Sequence, residues 1–468
     1  MASTTTPRVT KSVLDTKGSR YELMGEISRG GQGVVYRTHL PQVLVKGFTN
    51  KDEQARNRWR TRIEWLIRQN LSDLKLARPL AQLAEPRAGY VMELMDGLVS
   101  LESVLASFVA AEEPAKDYLA QGGLRRRVRI LCQLARTLNQ LHGRGMLYGD
   151  LSPANIFVSD DPAYAETWLI DCDNISLEAR SGLTLHTKDY GAPEVVRGDA
   201  LLSSLTDSWS FAVVAYQLLT HNHPFKGELV DDGEPEEEEA ALRGERPWIN
   251  DSSNPDNACL TNLPMQLVEH SRLPELFNRC FEQGKDCASA RPGMSEWLEA
   301  LTEIDEHIIE CASCGGSSVM ARDFKALSDM TCFFCESPAD PKLVVFEEFI
   351  FLADDEKGSK KPEPSKKWIE TGRSVCLQSG MSHEMKRLMP TFSYDAWPAD
   401  HVRVEYTDQG LGIHPLPEGL LHLQRGSTTK PLDKYQGLKE ALRGKHEEPY
   451  QIHIGPLAET HIVWQFRW

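Results

Sequence analysis

The spacing of apolar and polar positions changes twice along this chain. From Tyr21 to about Val45 short β-type runs are broken by glycines, and charged, helix-like sequence with a stripe of Trp59, Ile63, Leu66 and Ile67 follows. Between Leu124 and His142 apolar residues recur at Leu124, Val128, Leu131, Ala135, Leu138 and Leu141, a helical period with one buried face. The stretch DSWSFAVVAYQLL, 207–219, is apolar nearly all round, which predicts a helix at the centre of a domain. The helical pattern closes near residue 309. Beyond it KLVVFEEFIFLA reads as strand, and alternation at Val402, Val404 and Tyr406, then at Ile462, Trp464, Phe466 and Trp468, predicts a small antiparallel β domain. The chain is therefore expected to be of the α+β class, and it shows no internal repeat.

Punctuation supplies the boundaries. A polar leader, 1–19, is expected to be flexible; DDGEPEEEE, 231–239, reads as a solvated loop and helix start; and DDEKGSKKPEPSKK, 354–367, reads as a charged loop or linker. At 468 residues the chain has room for about three domains. Its net charge of −16 argues against nucleic acid or an anionic membrane as a general partner. The start of the chain lacks a signal-peptide core and no apolar run is long enough to span a bilayer, so a cytoplasmic protein is expected. Four of the ten cysteines form two C-x-x-C pairs, which suits a reducing compartment and one metal site.

Several positions in the first 300 residues carry phosphate chemistry. In EISRGGQGVVYR, 26–37, Gly30 and Gly33 would bring backbone N–H groups close to phosphate oxygens. Thirteen residues past Gly33, Lys46 in VLVK offers a fixed cation for the phosphates, and Glu64, bordering the Trp59 stripe, is expected to hold that lysine in place. Asp150 and Asn155 in GDLSPAN, with Asp171 in LIDCD, supply a carboxylate to orient an acceptor hydroxyl and two oxygen ligands for Mg²⁺. Each is unremarkable alone; together and in this order they are not.

On these motifs residues 20–309 resemble a eukaryotic-type protein kinase domain, which implies a bilobal fold that binds ATP and Mg²⁺. VMELMDG, 91–97, is similar to the hinge, and the resemblance implies nucleotide contacts at Gly30, Gly33, Val35, Lys46, Met92 and Glu93. GAPE, 191–194, resembles the end of the activation segment. Asp207 resembles the aspartate that braces the catalytic loop, and Arg291 resembles the late arginine that pairs with Glu194. Thr187 in TKDYGAPE fits a Ser/Thr kinase, whose threonine bonds the catalytic aspartate. GDLSPAN also resembles the loop of antibiotic kinases, but those lack the A-P-E, the Asp207 helix and the closing arginine, so a protein acceptor is favoured.

The pattern has departures. Ser28 and Leu44 replace smaller residues around the nucleotide, and Gly149 replaces an arginine. Ser152 stands where Ser/Thr kinases place a lysine that neutralises the transferring phosphoryl group. Cys172 and Asp173 replace the last two residues of D-F-G, and Asp173 is expected to bind metal or face water. Two alternatives stay open: a nucleotide-binding pseudokinase scaffold and a small-molecule kinase.

Cys311, Cys314, Cys332 and Cys335 form C-x2-C-x17-C-x2-C, the spacing of a structural zinc ribbon, expected over 310–340. Between the outer cysteines Arg322 and Lys325 are balanced by Asp323 and Asp329, which favours structure or protein docking over nucleic acid. In the β-rich domain, 341–468, TGRSV and SGMSH faintly resemble the phosphopeptide loops of forkhead-associated domains, implying phosphothreonine contacts at Arg373, Ser382 and His383. Kinase, ribbon and β-rich tail together resemble bacterial stress-associated kinases encoded beside a metal-dependent phosphatase and a von Willebrand A-type protein, which implies both as partners or substrates.

Overall fold

The computed structural model describes residues 11–29, 33–93, 96–109, 112–178, 187–259, 268–320, 331–338, 342–353, 368–386, 401–416 and 420–468. The chain forms two compact units, Met1–Thr302 and Glu303–Trp468.

The first unit opens with an antiparallel sheet of β1 (Ser12–Leu14), β2 (Arg20–Arg29), β3 (Gly33–Thr38), β4 (Val43–Phe48), β5 (Pro79–Gln82) and β6 (Gly89–Glu93), in the order β1-β2-β3-β4-β6-β5. Side-chain parity assigns its two faces. On β4 and β6 the opposed pairs Leu44–Met92 and Lys46–Tyr90 share one face, while Val45–Val91 points to the other. Helix α1 (Glu53–Ile67) covers the first face, where Leu44, Trp59, Ile63, Tyr90 and Met92 form one core. Its N-terminus is capped by Asp52, which accepts from the Ala55 N–H at 2.6 Å.

Strand β1 corrects the expectation of a flexible leader through residue 19. Ser12–Leu14 pairs with Arg20–Glu22, and Val13 fills the second core with Val45, Ala81, Leu83 and Val91. A three-residue strand carries too little alternation to stand out in the sequence, but the exposed back of the sheet supplies the apolar surface that recruits it.

Helices follow. Gly123–His142 buries Leu124, Val128, Leu131, Ala135, Leu138 and Leu141. Ser204–Thr220 begins with a capping box between Ser203 and Thr206 and is buried nearly all round. The acidic run at 231–239 leads into a helix, Pro235–Leu242, with Glu236, Glu237 and Glu238 in its first turn. Glu237 pairs with Arg246 and Glu238 with Lys188 and Lys226, so the run is only partly left to solvent.

The second unit contains a hairpin, Ile308–Glu310 with Ser317–Val319, and two antiparallel sheets of six and four strands. Val402, Val404 and Tyr406 from one sheet and Ile452, Ile462, Trp464 and Phe466 from the other share one core. The charged stretch 354–367 lies outside the described residues.

Candidate active site

A cavity of about 830 Å³ lies between the β-sheet and the helical part of the first unit, lined by Gly33, Val35, Lys46, Met92, Asp150, Asn155 and Asp171 among others. Gly33 is fixed by packing, since a Cβ there would meet the Gly47 carbonyl oxygen at 2.6 Å and Lys46 Cε at 3.2 Å. Gly30 lies outside the described residues. Met92 is buried on β6 while the Glu93 side chain is exposed. Leu44 also reaches the cavity wall.

The loop beneath the cavity is held from behind. Asp207, 2% exposed, accepts from the Tyr148 and Gly149 N–H groups at 2.7 and 2.8 Å and meets His142 Nε2 at 3.0 Å. Gly149 adopts φ 87°, the left-handed region where a side chain is strained, which gives a local reason for glycine before Asp150. On the cavity side, the Thr187 hydroxyl donates to Asp150 Oδ1 at 2.7 Å. The Asn155 amide donates to the Asp150 carbonyl at 2.9 Å and to Oδ2 at 3.2 Å. With its nitrogen so committed, the Asn155 carbonyl oxygen is left for another partner; together with Asp171 it makes a hard-oxygen pair of the kind Mg²⁺ accepts.

Asp171 sits at φ 55°, ψ 47° and begins a tight turn over Cys172–Asn174. Both Asp171 and Asp173 reach the Lys46 ammonium: Asp171 Oδ1 is in direct contact, and Asp173 Oδ1 is at 2.9 Å. Burial disfavours the Lys46 ammonium, but the two carboxylates outweigh it and its pKa lies above the usual value. Burial, with Asp173 alongside, raises Asp171; burial at Asp173 is outweighed by hydrogen bonds from Asp171, Lys46 and Trp59, which hold it low.

One expectation fails here, and one of the two alternatives for Asp173 with it. Glu64 does not hold Lys46: it follows the fully buried Ile63, and about 100° per residue carries it out to solvent, where it pairs with Arg68. Asp173 does not face water: it is 1% exposed, and Trp59 Nε1 donates to its Oδ2 at 2.9 Å. The sequence showed D-x-D, but only the left-handed Asp171 turns both carboxylates toward one lysine. Ser152 is also buried, and its hydroxyl has no partner among the described residues.

Away from the cavity, Arg291 grips Glu194 through two hydrogen bonds of 2.7 and 2.6 Å, donates to the Gly284 carbonyl at 2.9 Å and lies over the Trp209 ring.

In the second unit the four cysteines converge, with all Sγ atoms within 4.8 Å of one another. Four thiolates at about 2.3 Å from one zinc would stand about 3.8 Å apart, and the Cys311–Cys335 and Cys314–Cys332 separations are 3.6 Å. Backbone N–H groups of Ser313, Gly316 and Phe334 point at Cys311, Cys314 and Cys332 Sγ, each at 3.4 Å. Residues 321–330, with the four charges weighed above, lie outside the described residues.

The phosphothreonine reading of Arg373 is overturned. Its guanidinium bonds both Glu306 carboxylate oxygens, stands 3.7 Å from Glu348 and lies over Trp464. His383 is half-buried on a strand rather than displayed at a loop tip. Ser382 and His383 begin the strand Ser382–Lys386, so the three residues do not form an open anion site around a free arginine.

No helix of the described residues is long and apolar enough to cross a membrane. The protein kinase domain model matches residues 21–300. The chain is 26% identical over 327 residues to serine/threonine-protein kinase PCRK1 of Arabidopsis thaliana, covering 64% of this chain and 70% of that protein. It is 30% identical over 141 residues to ribosomal protein S6 kinase alpha-2 of Homo sapiens, covering 29% of this chain and 17% of that one. It is 26% identical over 247 residues to serine/threonine-protein kinase PknD of Chlamydia caviae, covering 44% and 25%. The matches thus span about a sixth and a quarter of the latter two relatives. The order of Gly33, Lys46, Asp150, Asn155 and Asp171 around one cavity agrees with the family match: the chain belongs to the protein kinase domain family.

Proposed function

We propose that the protein transfers the γ-phosphate of ATP to serine and threonine hydroxyls of protein substrates. The observation that carries this reading is the Thr187–Asp150 hydrogen bond beside Asn155, at the mouth of a cavity reached by Lys46 and Asp171. Lys46 places a cation against the nucleotide phosphates. Asp150 receives and orients the acceptor hydroxyl, and Thr187 limits which hydroxyls reach it. Asn155 and Asp171 would hold Mg²⁺, which neutralises phosphate charge when bound. Asp207 and the Arg291–Glu194 pair act from behind, fixing the loop and the substrate-facing segment.

The buried Ser152 supports a second reading, a pseudokinase scaffold, because it puts no cation beside the transferring group. The four cysteines would hold a structural zinc with no open position, folding a segment too small for its own core. A bacterial, cytoplasmic signalling role, with a metal-dependent phosphatase and a von Willebrand A-type protein as partners, rests on the resemblance of the domain combination alone. Incubation with γ-labelled ATP, Mg²⁺ and a generic protein acceptor tests the function. Label on serine and threonine, lost in Asp171→Ala, is the expected result; label confined to small molecules, or ATP bound without transfer, would favour the other readings.

A further inference from the structure

The helix that should supply a carboxylate to Lys46 cannot do so. The acidic residues of α1 are Glu53 and Glu64, and both are exposed. Bringing Glu64 to the lysine would require turning the helix by about 100°, which would expel Ile63 from the core. The face of α1 nearest the lysine carries Trp59 instead, stacked on Phe48 at 4.8 Å and on Tyr90 at 5.7 Å between ring centres. The Trp59 N–H holds Asp173 Oδ2, and the other oxygen of Asp173 holds Lys46. Arg62, one turn further along α1, donates to the Asp173 carbonyl at 3.3 Å.

Two carboxylates therefore reach one ammonium, and they are not equivalent. Asp171 opens onto the cavity with 28% of its side chain exposed, whereas Asp173 is sealed beneath Trp59 with 1% exposed. Were Asp171 to hold a divalent cation, Asp173 would be the carboxylate left to Lys46.

The geometry points to Asp173 as the residue that positions Lys46 for nucleotide binding, steered by the Trp59 N–H, in place of an acidic residue on α1. Asp173 touches neither nucleotide nor acceptor and acts through Lys46. The position of α1 is then communicated to the lysine by an indole and a short D-x-D turn. The inference rests on the reading of Lys46 as the phosphate-binding cation.

A double-mutant cycle in the full-length protein tests it, with Mg-ATP affinity and kcat/KM for ATP measured for Lys46→Met, Asp173→Asn and the pair. A hydrogen bond between charged groups contributes enough that Asp173→Asn should weaken Mg-ATP handling about 10- to 100-fold. In the Lys46→Met background the same change should have almost no further effect, whereas a merely structural role would give losses that multiply. Trp59→Phe keeps the stacked ring and removes only the N–H; it should show a smaller loss in the same direction, and it replaces Asp173→Asn if that variant does not fold. Glu64→Gln should match the unsubstituted protein. If Lys46→Met is costly and Asp173→Asn and Trp59→Phe are not, or if the two losses multiply, the inference falls alone. If Lys46→Met is itself silent, the reading of the lysine falls and the inference with it.

Discussion

Arg291 shows how much one buried charge can demand. Its side chain is wholly buried, and its guanidinium has donors directed to Glu194, Gly284 and Leu205. Removing one member of such a pair strands the other, so Arg291→Ala or Glu194→Ala should each destabilise the first unit by about 3–5 kcal/mol. The double variant should lose less than the sum. Urea unfolding measures this, and additive losses would argue against a direct pair. The Arg291–Glu194 pair, the Asp207 contacts and the Thr187–Asp150 contact match what the resemblance to protein kinases implied, and Lys46, Asp150, Asn155 and Asp171, singled out by motif order, line one cavity. The places of Glu64 and Asp173 were not legible in the sequence, because no spacing reveals that α1 turns Glu64 out to solvent or that the turn begun by Asp171 buries Asp173 against Lys46. Arg373 misled for a related reason: a short Gly-Arg string does not show that Glu306 has already claimed the guanidinium.

Among the elements, the long ones were legible and the short ones were not. The helix Gly123–His142 follows from its period, and Ser204–Thr220 from its lack of a polar face. Strand β1 escaped because its role is to cover Val45 and Val91, which belong to strands distant in sequence. The convergence of the four cysteines was legible from spacing alone, since each C-x-x-C pair brings two thiols to one tight turn. Gly315 and Glu336, each just past the second cysteine of a pair, both adopt left-handed backbone, at φ 73° and 58°. The purified protein is expected to carry one zinc per chain. Removing it with a chelator, or by Cys314→Ser, should increase proteolysis within 310–340 while the cavity of the first unit still binds nucleotide. Full occupancy of the fold without zinc, seen as unchanged proteolysis, would contradict a structural metal.

For the whole molecule, acidity and buried histidines set the pH response. Burial lowers His221 to about 3 and His223 and His453 to about 4, from an ordinary 6.5. The unfolded chain therefore binds more protons than the folded one between about pH 6.5 and pH 4, and stability falls as pH falls through that window. Asp171 and Glu348, raised by burial, act in the opposite sense, but there are two of them against five histidines, since burial also lowers His307 and His383. Urea midpoints should be lower at pH 5 than at pH 7.5, and a rise on acidification would contradict this balance.

The central claim, that Asp150 acts on an acceptor hydroxyl at a nucleotide site built by Lys46, Asn155 and Asp171, is tested most directly by Asp150→Asn. Transfer of γ-label to protein and Mg-ATP affinity would be measured on the same preparations as the unsubstituted protein. The account expects serine and threonine labelling by the unsubstituted protein, at least 100-fold slower transfer in the variant, and affinity changed by no more than a few-fold. Equal transfer by both proteins, or none by either with ATP bound, would contradict it.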